Sequence, residues 1–232
     1  MRQDPDPENR QPDPGNRWRS TIHRWKRRGP LVPVTTAIIA ICVGVYGAGH
    51  LWPAIENALI FAPWLGEEQK YRFLGSAFLH AHFWHLIFNM FALWIVGQAI
   101  EPRFGTWRYI SLFALSAIGG NTAVLVLADP TGISWGTLVV GASGAVFGLF
   151  GALLLLIKAL SRDTSQLVIL LAINLILGFI VEGISWQSHI GGLVVGLILG
   201  LIYTRTRGLW LHVGGTVITA LVLSATILLT YS

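Results

Sequence analysis

A chain of 232 residues with 53% hydrophobic and only 12% charged side chains is far from the composition of a soluble domain, where about a quarter of residues are charged. Its net charge of +5 comes mainly from Lys and Arg ahead of the first apolar run, which points to orientation in a membrane and gives no reason to expect a nucleic-acid partner. One cysteine, Cys42, excludes an internal disulfide and a cysteine metal cluster.

Residues 1–30 read as a disordered, basic cytoplasmic tail, with three Asp-Pro pairs and few large apolar side chains. Within it, Arg17 to Arg28 interleaves tryptophan with Arg and Lys, which suits an anionic leaflet surface. The apolar run that follows is too long for a cleavable signal peptide and lacks an Ala-x-Ala exit. Windows of roughly 17–23 apolar residues, long enough to cross the hydrocarbon layer, then succeed one another. They lie near Val32 to Trp52, Phe78 to Ile100, Tyr109 to Ala128, Leu138 to Leu160, Gln166 to Val181, Gln187 to Tyr203 and Leu209 to Thr230. The fifth is short. The expected fold class is all-α, a polytopic membrane helical bundle.

Orientation follows from charge. With the amino terminus inside, the tail, Arg103 and Arg108, Lys158 and Arg162, and Arg205 and Arg207 all face the cytoplasm. Only Lys70 and Arg72 of the 16 Lys and Arg then fall outside. The positive-inside rule selects this topology, a multi-pass cell-membrane protein with its amino terminus cytoplasmic and its last span ending outside.

That topology gathers polar residues from distant segments in one leaflet, where such residues are costly and usually functional. Ser143 is placed about five residues into the fourth span, roughly 8 Å deep. His189 falls in the first turn of the sixth, and His85 and Asn89 in the outer half of the second. A serine at this depth would also serve as a small interface residue. Its neighbours Gly141, Gly144, Gly148 and Gly151 thin the helix, and His189, Gly192, Gly196 and Gly200 form one stripe of a 3.6-residue helix. Two glycine faces permit the close approach that brings a serine oxygen within ~3 Å of an imidazole. His85 and Asn89, at i and i+4, share a face and can donate to a developing oxyanion.

His80, about 140° round the helix from His85, is expected to brace a loop, and His212 to sit at the interface. A metal site from His80, His82 and His85 lacks a carboxylate or cysteine to complete it, so neither metal nor cofactor is expected. Glu101 is placed at the inner end of the second span, and Asp129 and Glu182 in outer loops. A Ser-His dyad is therefore expected in place of a triad. There is no His-Glu-x-x-His for a zinc protease and no pair of intramembrane aspartates.

These residues resemble the rhomboid family of intramembrane serine proteases. The resemblance runs from Tyr71-Arg72 to Gly200, through Phe78-Leu79-His80, the His80, His85 and Asn89 spacing, Glu101 to Gly105, Gly141-x-Ser143-Gly144, and His189-x2-Gly192-x3-Gly196. It implies a six-helix core over residues 31–204, with residues 205–232 supplying an additional transmembrane helix. It also implies Ser143 as nucleophile and His189 as general base and then acid. His85, Asn89 and the Ser143 N–H would form the oxyanion hole, and Phe147 would pack on the histidine ring where family members often carry tyrosine. Tyr71-Arg72 stands where a Trp-Arg pair is common. The loop Glu182 to Ser188 would cap the site, and the fifth span would act as a lateral gate. The implied partners are single-pass or polytopic transmembrane substrates, cut near the outer face, and membrane lipids. Two rivals are a rhomboid-like protein that binds membrane helices without cutting them, and a transporter. The latter would need polar residues near the midplane or through both leaflets, which the inner halves of these spans lack.

Overall fold

Proline at the start of a helix supplies a preset φ and lacks only an N–H that would be unpaired anyway. Three helices in the first third of the chain begin this way: α1 (Pro33–Leu51), α2 (Pro53–Leu59) and α3 (Pro63–Glu68). They belong to a computed structural model that describes residues 32–181 and 183–232. The expected basic tail, with its Arg17 to Arg28 segment, and Glu182 lie outside the described residues.

After α3 come a single turn, α4 (Arg72–Gly75), and a 3₁₀ turn over Ser76–Phe78. The long helices α5 (Phe83–Phe104) and α6 (Thr106–Val126) follow, separated by Gly105 at φ 79. Next are α7 (Ser143–Ala159), α8 (Ser165–Ile180), α9 (Trp186–Arg205) and α10 (Leu209–Tyr231). Among the described residues there is no named strand, only one isolated bridge between Phe61 and Val139. The chain is a polytopic helical membrane protein.

Helices α6, α7 and α9 pack most intimately, and α1, α5 and α10 surround them. Leu93, Ile100, Tyr109, Leu112, Leu149 and Leu199 are fully buried at the centre. By contrast, α8 is loosely held and buries only Leu171 and Gly178.

The α1, α5, α6, α9 and α10 helices are long and apolar enough to span a membrane, whereas α7 and α8 have 17 and 16 residues. The fourth expected span is thus corrected. Leu138 to Val140 does not continue the helix, because Val139 pairs with Phe61 (Phe61 N to Val139 O 3.2 Å; Val139 N to Phe61 O 2.7 Å). The second expected span also starts late, at Phe83, where the His82 ring caps the helix by accepting from His85 N at 3.1 Å. His80 therefore lies ahead of the helix that holds His85, and the angular relation expected for the two does not apply.

Three polar features escaped the hydropathy reading. Glu101 is buried and caps α1, accepting from Val34 N (2.9 Å), Thr35 N (2.8 Å) and Thr35 Oγ1 (2.6 Å). Arg72 is buried too and ties the short helices together by donating to Asn57 O (2.8 Å), Ile60 O (2.7 Å) and Gln69 Oε1 (2.7 Å). His212, expected at the interface, is buried edge-on to Tyr203 with Nε2 3.2 Å from Thr206 O.

Candidate active site

Ser143 is the first residue of α7, preceded by Gly141 at φ 118. The first backbone bond at this end runs from Val146 N to Ala142 O (2.9 Å), so the N–H groups of Ser143 and Gly144 lack an intrahelical partner. In the expected continuous helix, the Ser143 N–H would have been spent on Val139 O. Breaking the helix here frees an amide beside the hydroxyl and aims the positive end of the α7 dipole at the same place.

Gly141 is required twice. Its φ disfavours any side chain, and a Cβ there would lie 2.6 Å from His85 Cε1 and 2.7 Å from His85 Nε2. The His85 ring therefore lies against the turn that leads into Ser143. One turn along α5, buried Asn89 donates Nδ2 to His85 O at 2.9 Å. An amide nitrogen carries two hydrogens, so one remains for another acceptor. His80 is buried with its ring edge-on to His85, centroids 5.2 Å apart. Burial, helped by His85, pushes its pKa down to about 4, so it meets His85 as an uncharged ring at neutral pH.

Opposite Ser143, α9 begins with Ser185 Oγ accepting from Ser188 N at 3.3 Å. The His189 ring lies flat on Phe147, centroids 4.2 Å apart and planes 11° from parallel. Phe147 is one turn beyond Ser143 on the same face of α7, so the imidazole sits beside the serine's helix at the serine's end. His189 Nδ1 is buried without a partner, close to where a Cβ on Gly178 of α8 would lie (3.5 Å). Among the described residues no hydrogen bond joins Ser143 to His189. Catalytic hydrogen bonds are often long in the unliganded state.

Helix contact explains how the imidazole comes so near. A Cβ on Gly192 would collide with the Gly144 carbonyl, and one on Gly196 with the Gly148 carbonyl. Gly200 would meet Ala152 Cα at 2.7 Å, and Gly151 would meet Leu193 O at 2.9 Å. Helices α7 and α9 thus touch backbone to backbone along the whole stripe.

Two supporting residues gave no signal in the sequence. Ser188 fills the gap between α6 and α7, its Oγ 2.6 Å from where a Gly120 Cβ would be and 2.7 Å from a Gly144 Cβ. Asn121 on α6 donates Nδ2 to Phe73 O (2.9 Å) and Ser76 Oγ (2.8 Å), while Ser76 O accepts from Gly141 N (3.0 Å). A buried asparagine with both contacts internal marks such a brace, but only once its neighbours are known. Beside the site, a cavity of about 250 Å³ lies between the segments around Ser134 to Leu138 and Gly183 to Gln187, with Leu127 and Trp186 in its lining. Among the described residues no cluster could hold a metal ion.

Residues 67–206 match the family model described as Rhomboid domain. The chain is 34% identical over 148 residues to rhomboid protease GluP of Bacillus subtilis, covering 62% of this chain and 27% of that one. It is 32% identical over 156 residues to RHOMBOID-like protein 5 of Arabidopsis thaliana, covering 64% and 47%. Against rhomboid-like protease 1 of Toxoplasma gondii it is 32% identical over 154 residues, covering 62% and 51%. The matched part therefore spans about a quarter to a half of the length of these relatives.

Proposed function

The chain belongs to the rhomboid family, and from that premise we propose that it is an intramembrane serine endopeptidase working by a Ser143–His189 dyad. The observation that carries this reading is the flat stacking of His189 on Phe147, one turn from Ser143, between helices that touch at Gly144 and Gly192.

Ser143 Oγ attacks the carbonyl carbon of the scissile bond while His189 Nε2 takes its proton. Nε2 is the ring nitrogen available for this step, since Nδ1 is buried beside Gly178. The oxyanion that forms receives the Ser143 N–H, the second Asn89 Nδ2 hydrogen and the His85 side chain. Donors fixed before the reaction are the largest catalytic contribution such a site can make. When the C–N bond breaks, the imidazolium gives its proton to the leaving amine. Water then attacks the acyl-serine, losing a proton to His189; the bond from the acyl carbon to Ser143 Oγ breaks, His189 returns the proton to that oxygen, and the carboxylic acid product leaves.

Topology sets the substrate. The distribution of basic residues supports an orientation with the start of α7 toward the outer face, and in this reading the scissile bond belongs to a transmembrane protein near its outer end. A substrate helix hides its carbonyls in its own hydrogen bonds, so it must unwind to be cut; small or helix-breaking residues lower that cost. The loosely held α8 serves as the lateral gate, and the loop from Gly183 to Ser188 as the cap. Residues 31–204 form the catalytic unit and the last helix is an addition to it. The test is cleavage of a single-pass substrate in liposomes. The wild type is expected to cut it and Ser143→Ala to leave it intact; equal cleavage by both would overturn the assignment.

A further inference from the structure

We infer that Tyr231, at the end of α10, is a positioning residue for Ser143: it clamps the backbone strap that leads into the nucleophile. The inference rests on the reading of Ser143 as that nucleophile. The strap starts at the Phe61–Val139 pair, where each residue donates to the other across an isolated antiparallel bridge. Two residues on, Gly141 N is held by Ser76 O at 3.0 Å, and the chain turns into α7. The backbone ahead of Ser143 thus has two fixed points, and the first depends on where Phe61 is held.

Tyr231 touches the chain on both sides of that pair. Its hydroxyl donates to Pro63 O at 2.5 Å, two residues beyond Phe61. Lys70 Nζ lies 4.2 Å over its ring centroid. Its ring meets Trp135, four residues before Val139, edge-on at 6.0 Å. Phe61, Phe73, Val139 and Ile227 of α10 form one buried cluster, with Trp135 and Tyr231 packed against it. Room for this is made by Gly66, where a Cβ would lie 2.6 Å from the Tyr231 hydroxyl and 2.8 Å from both the Phe61 and Phe73 rings.

Most of α10 does not share this role. Leu221, Val222, Leu228 and Leu229 are exposed, as suits lipid contact. The other end of the helix is anchored separately, by Tyr203 and Thr216 hydroxyls 2.6 Å apart. A helix needed only for membrane insertion would have no use for a polar clamp on the loops ahead of the nucleophile. A shift of about 1 Å at a nucleophile can cost 10²-fold in rate, so a distant clamp on the strap acts directly on turnover.

The experiment compares Tyr231→Phe, Tyr231→Ala and Gly66→Ala with Thr216→Val, which loosens the opposite anchor. All are full-length chains in detergent, well below their melting temperatures. The readouts are the second-order rate of Ser143 labelling by a small fluorophosphonate, kcat and KM, and amide hydrogen exchange over residues 137–142. Tyr231→Phe should slow labelling and lower kcat roughly three- to tenfold, the worth of one hydrogen bond, with KM unchanged and faster exchange at Val139 and Gly141. Tyr231→Ala and Gly66→Ala should slow labelling on the order of 10²-fold. Thr216→Val should lower the melting temperature and leave labelling and exchange as in the wild type. Wild-type labelling and exchange in Tyr231→Phe and Gly66→Ala would overturn the clamp while leaving the serine assignment intact, as would equal slowing by Thr216→Val. A wild type that no serine reagent labels would fail on the serine assignment itself, and the positioning role would fall with it. Should Tyr231→Ala not fold, Tyr231→Phe and Gly66→Ala decide.

Discussion

Adding a single methyl group at Gly192 tests whether the site depends on backbone contact between α7 and α9. A Cβ there would overlap the Gly144 carbonyl oxygen and lie 2.6 Å from its carbonyl carbon and 3.1 Å from Gly144 Cα. Carbon atoms need about 3.5 Å, so the helices must part by roughly 1 Å at this level. Gly144 is next to Ser143, and Gly192 is one turn from His189, so the gap opens between Ser143 and His189, the proposed nucleophile and base. Overpacking of this kind costs about 1–3 kcal/mol of stability, and a 1 Å misplacement costs on the order of 10²-fold in rate. Gly192→Ala is therefore expected to lower kcat about 10²-fold and to lower the melting temperature. Gly214→Ala on α10, where nothing lies within 4 Å of an added Cβ, should leave both unchanged. The assay is cleavage kinetics in liposomes beside a melting curve. Full turnover and full stability in Gly192→Ala would refute the close contact.

Other variants separate chemistry from architecture. Asn89→Ala should lower kcat on the order of 10²–10³-fold with little change in KM, because an oxyanion donor acts only as charge develops; steady-state kinetics on folded protein check this. Phe147→Ala removes the ring stacked on His189 and should lower kcat up to about tenfold, the worth of an aromatic pair, measured by the same kinetics. Glu101→Gln keeps the shape of the α1 cap but weakens charge-assisted bonds worth about 1.5–3 kcal/mol each. Its melting temperature should fall while kcat at low temperature stays near wild type.

Hydropathy was enough to place most helices. The window Val32 to Trp52 became Pro33–Leu51, and Leu209 to Thr230 became Leu209–Tyr231, because uninterrupted apolar runs in lipid have no other way to satisfy their backbone. It failed where apolar residues pair with something other than their own helix. Leu138 to Val140 look like helix, yet Val139 bonds to Phe61, a partner distant in sequence and invisible to any local window. The same error placed Ser143 inside a helix instead of at its start. Glycine spacing was legible because a stripe at helical period has a direct geometric meaning. The roles of Glu101, Asn121, Ser188 and Tyr231 were not, since each is defined by a contact with a segment far along the chain.

The most direct measurement is labelling of the purified protein with a fluorophosphonate, the modified residue located by mass spectrometry. Ser143 should carry the adduct in the wild type, and the labelling rate should fall sharply in His189→Ala, because a hydroxyl without its base is a poor nucleophile. An adduct on another residue, or undiminished Ser143 labelling in His189→Ala, would contradict the dyad.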